Sequence, residues 1–236
     1  LITALYRAFR SKGAIDTNRV IVAVQSDEKI PLIMSPLIFI STVLTQLFGG
    51  SAGREGAALQ LGGSIGYNIG RCFRLRQSDL HIIVMAGMSS VFAALFGTPL
   101  TAAVFALEVI SVGSVRYAGF MPCIISSVVA YMIAIKLGIS PVCFDTIIFP
   151  SVSAEVMLKA ILLAVMCAVV SILFCVSIKK CEIYMERFFK NAYLRAFFGG
   201  LIIILLTLVL NTTDYNGAGM EIVARAMQGN AKPEAF

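Results

Sequence analysis

Glu55 stands directly after Arg54 in the run GGSAGREGAALQLGGSIG, residues 49–66, a charged pair among glycines, alanines and leucines. An ionised carboxylate in a lipid-like setting costs roughly a few kcal/mol or more, so such an acid lines a polar path or pairs with a cation. Gly53 and Gly56 clear side chains from around the pair, and the apolar helix that follows would aim its N-terminal amides at whatever lies beside Glu55. Unpaired N–H groups and the helix dipole favour an anion there. That anion is either the Glu55 carboxylate or a dissolved ion that replaces it, and protonation of the acid frees the site, which makes a gate. The plainer reading is that Arg54 and Glu55 neutralise one another and cap the helix start, although adjacent helical residues point about 100° apart and pair poorly.

A second stretch of the same style is FGTPLTAAVFALEVISVG, residues 96–113. Gly97 and Thr98 break the chain, Pro99 takes the favoured first position of a new helix, and Glu108 follows about three turns on. Glu108 is either a proton relay or a solvated residue near a helix end. Other chemistries lack their parts. No Gly-Lys-Ser or Gly-Lys-Thr follows the glycines and no strand precedes them, so neither a phosphate loop nor a dinucleotide fingerprint is present. An intramembrane enzyme using Glu55 and Glu108 as paired acids would need a nucleophile beside a base, whereas the single His81 sits at a helix start. The six cysteines, Cys72, Cys123, Cys143, Cys167, Cys175 and Cys181, show no metal-binding or CxxC spacing, and no disulfide, metal or cofactor is assigned.

The elements that must position these acids are membrane helices. The 236 residues are 58% hydrophobic and 14% charged, without a tryptophan, and the mean hydropathy is +0.89, whereas a soluble domain is about a quarter charged. Spanning a hydrocarbon core of ~30 Å takes about 20 apolar residues. The pattern predicts the tail of a membrane helix at 1–10, a half-length helix at 20–24, a longer one at 31–48, a short one at 55–71, then helices at 80–96, 99–112, 117–137, 156–178, 194–210 and 218–227. Residues 140–153, with Pro141 and Pro150, read as a surface connection. Short helices that stop inside the bilayer point to re-entrant architecture. Gly62, Gly66 and Gly70 recur every four residues, leaving one helix face bare for a close neighbour. The net charge of +6 comes largely from Arg71, Arg74, Arg76 and the run Lys179, Lys180, Arg187, Lys190 and Arg195. It reads as loops on headgroups or the cytoplasmic side, not nucleic-acid binding. A start at Leu1 without Met reads as a piece of a longer protein.

GREG followed by LQLGGSIG, then FAALFGTPLTAAVFALEV, resembles the chloride channel (CLC) family of anion channels and proton-coupled anion antiporters, with the likeness running from about Gly13 to Met227. The resemblance implies an all-α integral membrane protein of two inverted repeats with tilted and re-entrant helices, most of the first half at 1–138 and the start of the second at 154–236. It implies a homodimer in which each subunit has its own pore, with contacts including helix 117–137. It makes Glu55 the external gate, with Gly53, Arg54 and Gly56 completing its motif. Counting back places Gly13-Ala14-Ile15-Asp16-Thr17 at the family's first anion-binding turn, where Ala14 lacks the usual serine hydroxyl, so a small monovalent anion is expected, chloride first. Val109 occupies the place of the antiporters' internal proton glutamate, as in the family's channels, and Glu108 beside it is turned about 100° away. Asn216-Gly217-Ala218-Gly219 resembles a structural glycine turn, and the second half's anion-binding turn and inner tyrosine are expected beyond Phe236. The expectation is channel-like anion passage in a bacterial cell membrane, with residues 179–195 cytoplasmic; the rivals are proton-coupled chloride or fluoride antiport and a non-conducting scaffold.

Overall fold

The structure is a computed structural model that describes residues 1–9, 30–110, 117–141 and 153–227. The expected helix at 20–24, most of the connection at 140–153, Cys143, and the turn containing Gly13 and Ala14 lie outside the described residues. Those residues form helices: α1 Ile2–Phe9, α2 Met34–Leu47, α3 Glu55–Cys72, α4 Gln77–Phe96, α5 Pro99–Ile110, a 3-10 turn Tyr117–Gly119 leading into α6 Phe120–Lys136, α7 Ala154–Phe188, α8 Ala192–Leu210 and α9 Met220–Met227.

Two compact units are present, Leu1–Cys143 with Leu206–Phe236, and Phe144–Leu205. In the first, α2 has 14 residues and therefore reaches only about 21 Å, short of a bilayer core. It stops because Gly49 turns left-handed at φ 70° and the last carbonyls are taken by Gly49 N–H to Gln46 O (3.1 Å) and Gly50 N–H to Thr45 O (2.8 Å), the paired closure that glycine makes easy at a helix end. Pro99 opens α5, which ends at Ile110 after 12 residues.

The glycine stripe on α3 does what its spacing predicts. Gly62, Gly66 and Gly70 are buried. A Cβ on Gly62 would run into the carbonyl oxygen of Gly87 on α4, one on Gly66 would lie 2.5 Å from the Ile83 carbonyl oxygen, and one on Gly70 would meet the side-chain tips of Leu80 (2.7 Å) and Ile83 (2.8 Å). Backbone thus meets backbone along the α3–α4 seam. Around it Met34, Val84, Met85, Met88, Ala106 and Cys123 form the buried core. Because lipid offers no hydrogen bonds, the buried hydroxyls find partners in the protein: between helices, Ser35 Oγ donates to Ser64 Oγ (2.8 Å) and Ser89 Oγ to the Cys123 carbonyl (2.9 Å), while Ser41 and Ser127 donate to carbonyls of their own helices, Ile38 (3.0 Å) and Ile124 (2.8 Å).

In the second unit, α7 runs for 35 residues, about 52 Å, past the expected end at 178. The expectation stopped where the apolar run stops, but the following KKCEIYMERF is made mostly of good helix formers and the hydrogen-bond ladder continues through it. Ser153 Oγ caps its start by accepting from the Val156 amide (3.3 Å). Across the turn to α8, Arg195 pairs with Glu186 (2.6 Å) and Phe189 stacks on Phe198 (4.5 Å). α4, Tyr117–Lys136, α7 and α8 are each long and apolar enough to cross a membrane.

Candidate functional site

Glu55 is the first residue of α3, and Arg54 is its N-cap, with no side-chain cap hydrogen bond. The first helical bond of the ladder runs from Ala58 N–H to Arg54 O (2.9 Å), so the amides of Glu55, Gly56 and Ala57 point out of the helix end without an intrahelical acceptor. The half-buried Glu55 carboxylate folds back over Gly53, where a Cβ would collide with its Oε2, while a Cβ at Gly56 would meet nothing within 4 Å. The surroundings of the two glycines therefore differ: Gly53 makes room for the carboxylate, whereas the space beside Gly56 is empty.

Among the described residues no ion pair joins Arg54 to Glu55. Arg54 instead contributes to the wall of an apolar crevice of about 160 Å³ with Phe39, Thr42, Ala58, Leu61 and Val91, as expected for a long cationic side chain whose stem prefers apolar walls. Mutual neutralisation of Arg54 and Glu55 is not what the geometry provides.

The loop that delivers this motif is held at its other end by a residue that sequence reading passed over. Gln46 Nε2 donates to the carbonyl of Ala52 (2.8 Å), the residue just before Gly53. The turn Asn216-Gly217-Ala218-Gly219 packs on the same spot: a Cβ on Gly217 would lie 3.6 Å from Gln46 Oε1, and one on Gly49 would lie 3.8 Å from Asn216 Cβ. Asn216 Oδ1 accepts from Thr207 Oγ1 (3.2 Å). A lone glutamine near the end of an apolar helix was the available signal.

At the second stretch, Gly97 closes α4 at φ 69°, and a side chain there would strike the ring of Pro141 (2.8 Å). Phe92 stacks on Phe105 (4.7 Å) across the turn. Both Glu108 and Val109 fall in the last turn of α5, Glu108 exposed and Val109 half-buried against the hydrophobic core. Glu55 and Glu108 thus sit at the start of one helix and near the end of another.

Comparison with known proteins bears on this arrangement. The family described as voltage gated chloride channel matches residues 1–236. A relative from Pseudomonas syringae pv. tomato, named a chloride/fluoride channel protein, is 34% identical over 199 residues, which cover 84% of this chain and 44% of that protein. An uncharacterised protein of Methanocaldococcus jannaschii is 31% identical over 116 residues, 49% of this chain and 29% of its own length. Among solved structures, a crystal structure of a CLC-type fluoride/proton antiporter superposes with a TM-score of 0.90 at 30% identity, covering 98% of this chain and 58% of that one. The chain has the fold of that structure and spans less than two thirds of the length of any of these relatives.

Proposed function

The chain belongs to the voltage-gated chloride channel family, and from that membership we propose that it forms part of a pore for small monovalent anions gated by the Glu55 carboxylate. The observation that carries the gate is the placement of that carboxylate: folded over Gly53, unpaired with Arg54, at a helix end whose first three amides have no intrahelical acceptor. An acid there competes with a dissolved anion for the same donors, and protonation removes the competing charge. Fluoride stands beside chloride as substrate, since both named relatives carry fluoride in their descriptions. Passage is passive in this reading because Val109, a hydrocarbon packed on the core, cannot hold a proton where antiporters of the family carry a glutamate.

Proton-coupled antiport is the second reading, favoured by the 30% identity to a solved fluoride/proton antiporter; Glu55 would then carry the proton itself. In either case the protein performs no covalent chemistry, lies in a bacterial cell membrane and works as a homodimer, with residues 1–138 supplying most of one half-repeat and 154–236 the start of the other. The first anion-binding turn is assigned to Gly13 and Ala14.

The test is efflux of chloride and of fluoride from liposomes holding the full-length protein, with proton movement recorded in parallel. The expected result is anion efflux that rises as pH falls, without proton counterflow, and that becomes insensitive to pH in Glu55→Gln. Proton movement at a fixed ratio to the anion selects antiport, and absence of flux for both anions overturns the transport reading.

A further inference from the structure

Seven residues, 48–54, separate α2 from the helix that begins with Glu55, and they contain no regular element among themselves. Their first turn is closed by backbone hydrogen bonds from Gly49 and Gly50 to the end of α2. Their last turn is tied down by a side chain, the Gln46 amide donating to the Ala52 carbonyl at 2.8 Å. The peptide that follows Ala52 is that of Gly53, against which the Glu55 carboxylate rests. The opposite end of the same amide, Oε1, faces Gly217 of the turn ahead of α9.

We propose that Gln46 is the positioning residue of the gate, holding the Ala52–Gly53 peptide where the Glu55 carboxylate can lie over it, and linking that peptide to the Asn216–Gly217 turn. The inference rests on the reading of Glu55 as a gate. Losing the donor frees the loop to rotate about Ala52 and Gly53, so the carboxylate loses its defined seat while the helix that carries it stays packed through its glycine seam. Glycine at 217 is part of the arrangement: with φ at 80° it turns the chain and adds no side chain against the glutamine. The charged groups on the adjoining elements are Arg54 on the loop and the Asp214–Arg225–Glu221 network at α9, at 3.0 and 3.4 Å.

The experiment is the pH profile of anion efflux from liposomes for the full-length protein, Gln46→Met, Gln46→Glu, Glu55→Gln and the two double variants. Methionine keeps the length of the side chain without a donor, and an ionised glutamate keeps its shape while repelling the Ala52 carbonyl. Thermal unfolding in detergent shows which variants are folded. The expected result is that both Gln46 variants change efflux at neutral pH by about 2- to 10-fold, the net worth of one hydrogen bond, and have no further effect once Glu55 is glutamine. Profiles superimposable on the parent, or an equal change in the Glu55→Gln background, would overturn the role of Gln46. If Glu55→Gln itself keeps the parent's pH profile, it is the gate reading that fails.

Discussion

The Glu55 carboxylate occupies the space that any side chain at Gly53 would need. Glycine two residues before the acid is therefore a steric requirement of the carboxylate's position, and its backbone is outside the left-handed region, so the requirement is one of room alone.

Gly53→Ala is expected to push the carboxylate off its seat and raise anion efflux at neutral pH by about threefold or more, while the unfolding free energy moves by less than about 0.5 kcal/mol, as at an exposed site. Parallel liposome efflux and thermal unfolding measure both. Unchanged efflux would separate the carboxylate's resting place from the control of passage.

Gly56→Ala makes the opposite contrast. The added methyl meets nothing within 4 Å and lies in the first turn of α3, so the unfolding midpoint in detergent should rise, by the equivalent of about 0.5–1 kcal/mol.

Along the α3–α4 seam, the identity of the obstacle decides the cost. Gly66→Ala presses on the Ile83 carbonyl at 2.5 Å and should cost about 1–3 kcal/mol. Gly70→Ala presses only on the movable ends of Leu80 and Ile83 and should cost distinctly less. Unfolding midpoints for the pair, measured side by side, test the ordering.

Arg74 closes α3 with φ at 54°, while Leu75 N–H bonds to Gly70 O (3.0 Å) and Arg74 N–H to Arg71 O (3.1 Å). A residue with a Cβ is strained in that conformation by about 1–2 kcal/mol. Arg74→Gly should therefore raise the unfolding midpoint without altering efflux, since its side chain has no ion-pair partner among the described residues.

Glu108→Gln should leave anion efflux within about twofold of the parent, a change worth less than ~0.5 kcal/mol, with no proton counterflow in either protein. Loss of proton movement with anion efflux retained would make Glu108 a relay and favour antiport.

Helix existence was legible because long apolar runs between glycine and proline breaks have few alternatives in a membrane. The 62, 66, 70 repeat announced a close neighbour because it strips one helix face of side chains, though not that Gly87 would receive it. The end of α7 was not legible: hydropathy reports where lipid ends, and a helix is ended by its backbone. At the site, charge type and flanking glycines pointed to Glu55, but the direction of its side chain depends on the loop before it. Gln46 stayed hidden because a single amide has no periodicity, and its meaning comes from the Ala52 carbonyl that the turn at Gly49 brings within reach.

The seam between Gly62 and Gly87 bears on time as well as on packing. With two backbones in direct contact there is no cushion of flexible side chains along which α3 could slide past α4. The only part of Glu55 left free to move quickly is its own side chain, whose rotation belongs to the picosecond-to-nanosecond range, against microseconds to milliseconds for a shifting helix. A carboxylate mounted on so stiff a beam changes rotamer far faster than the packed helices beneath it can rearrange.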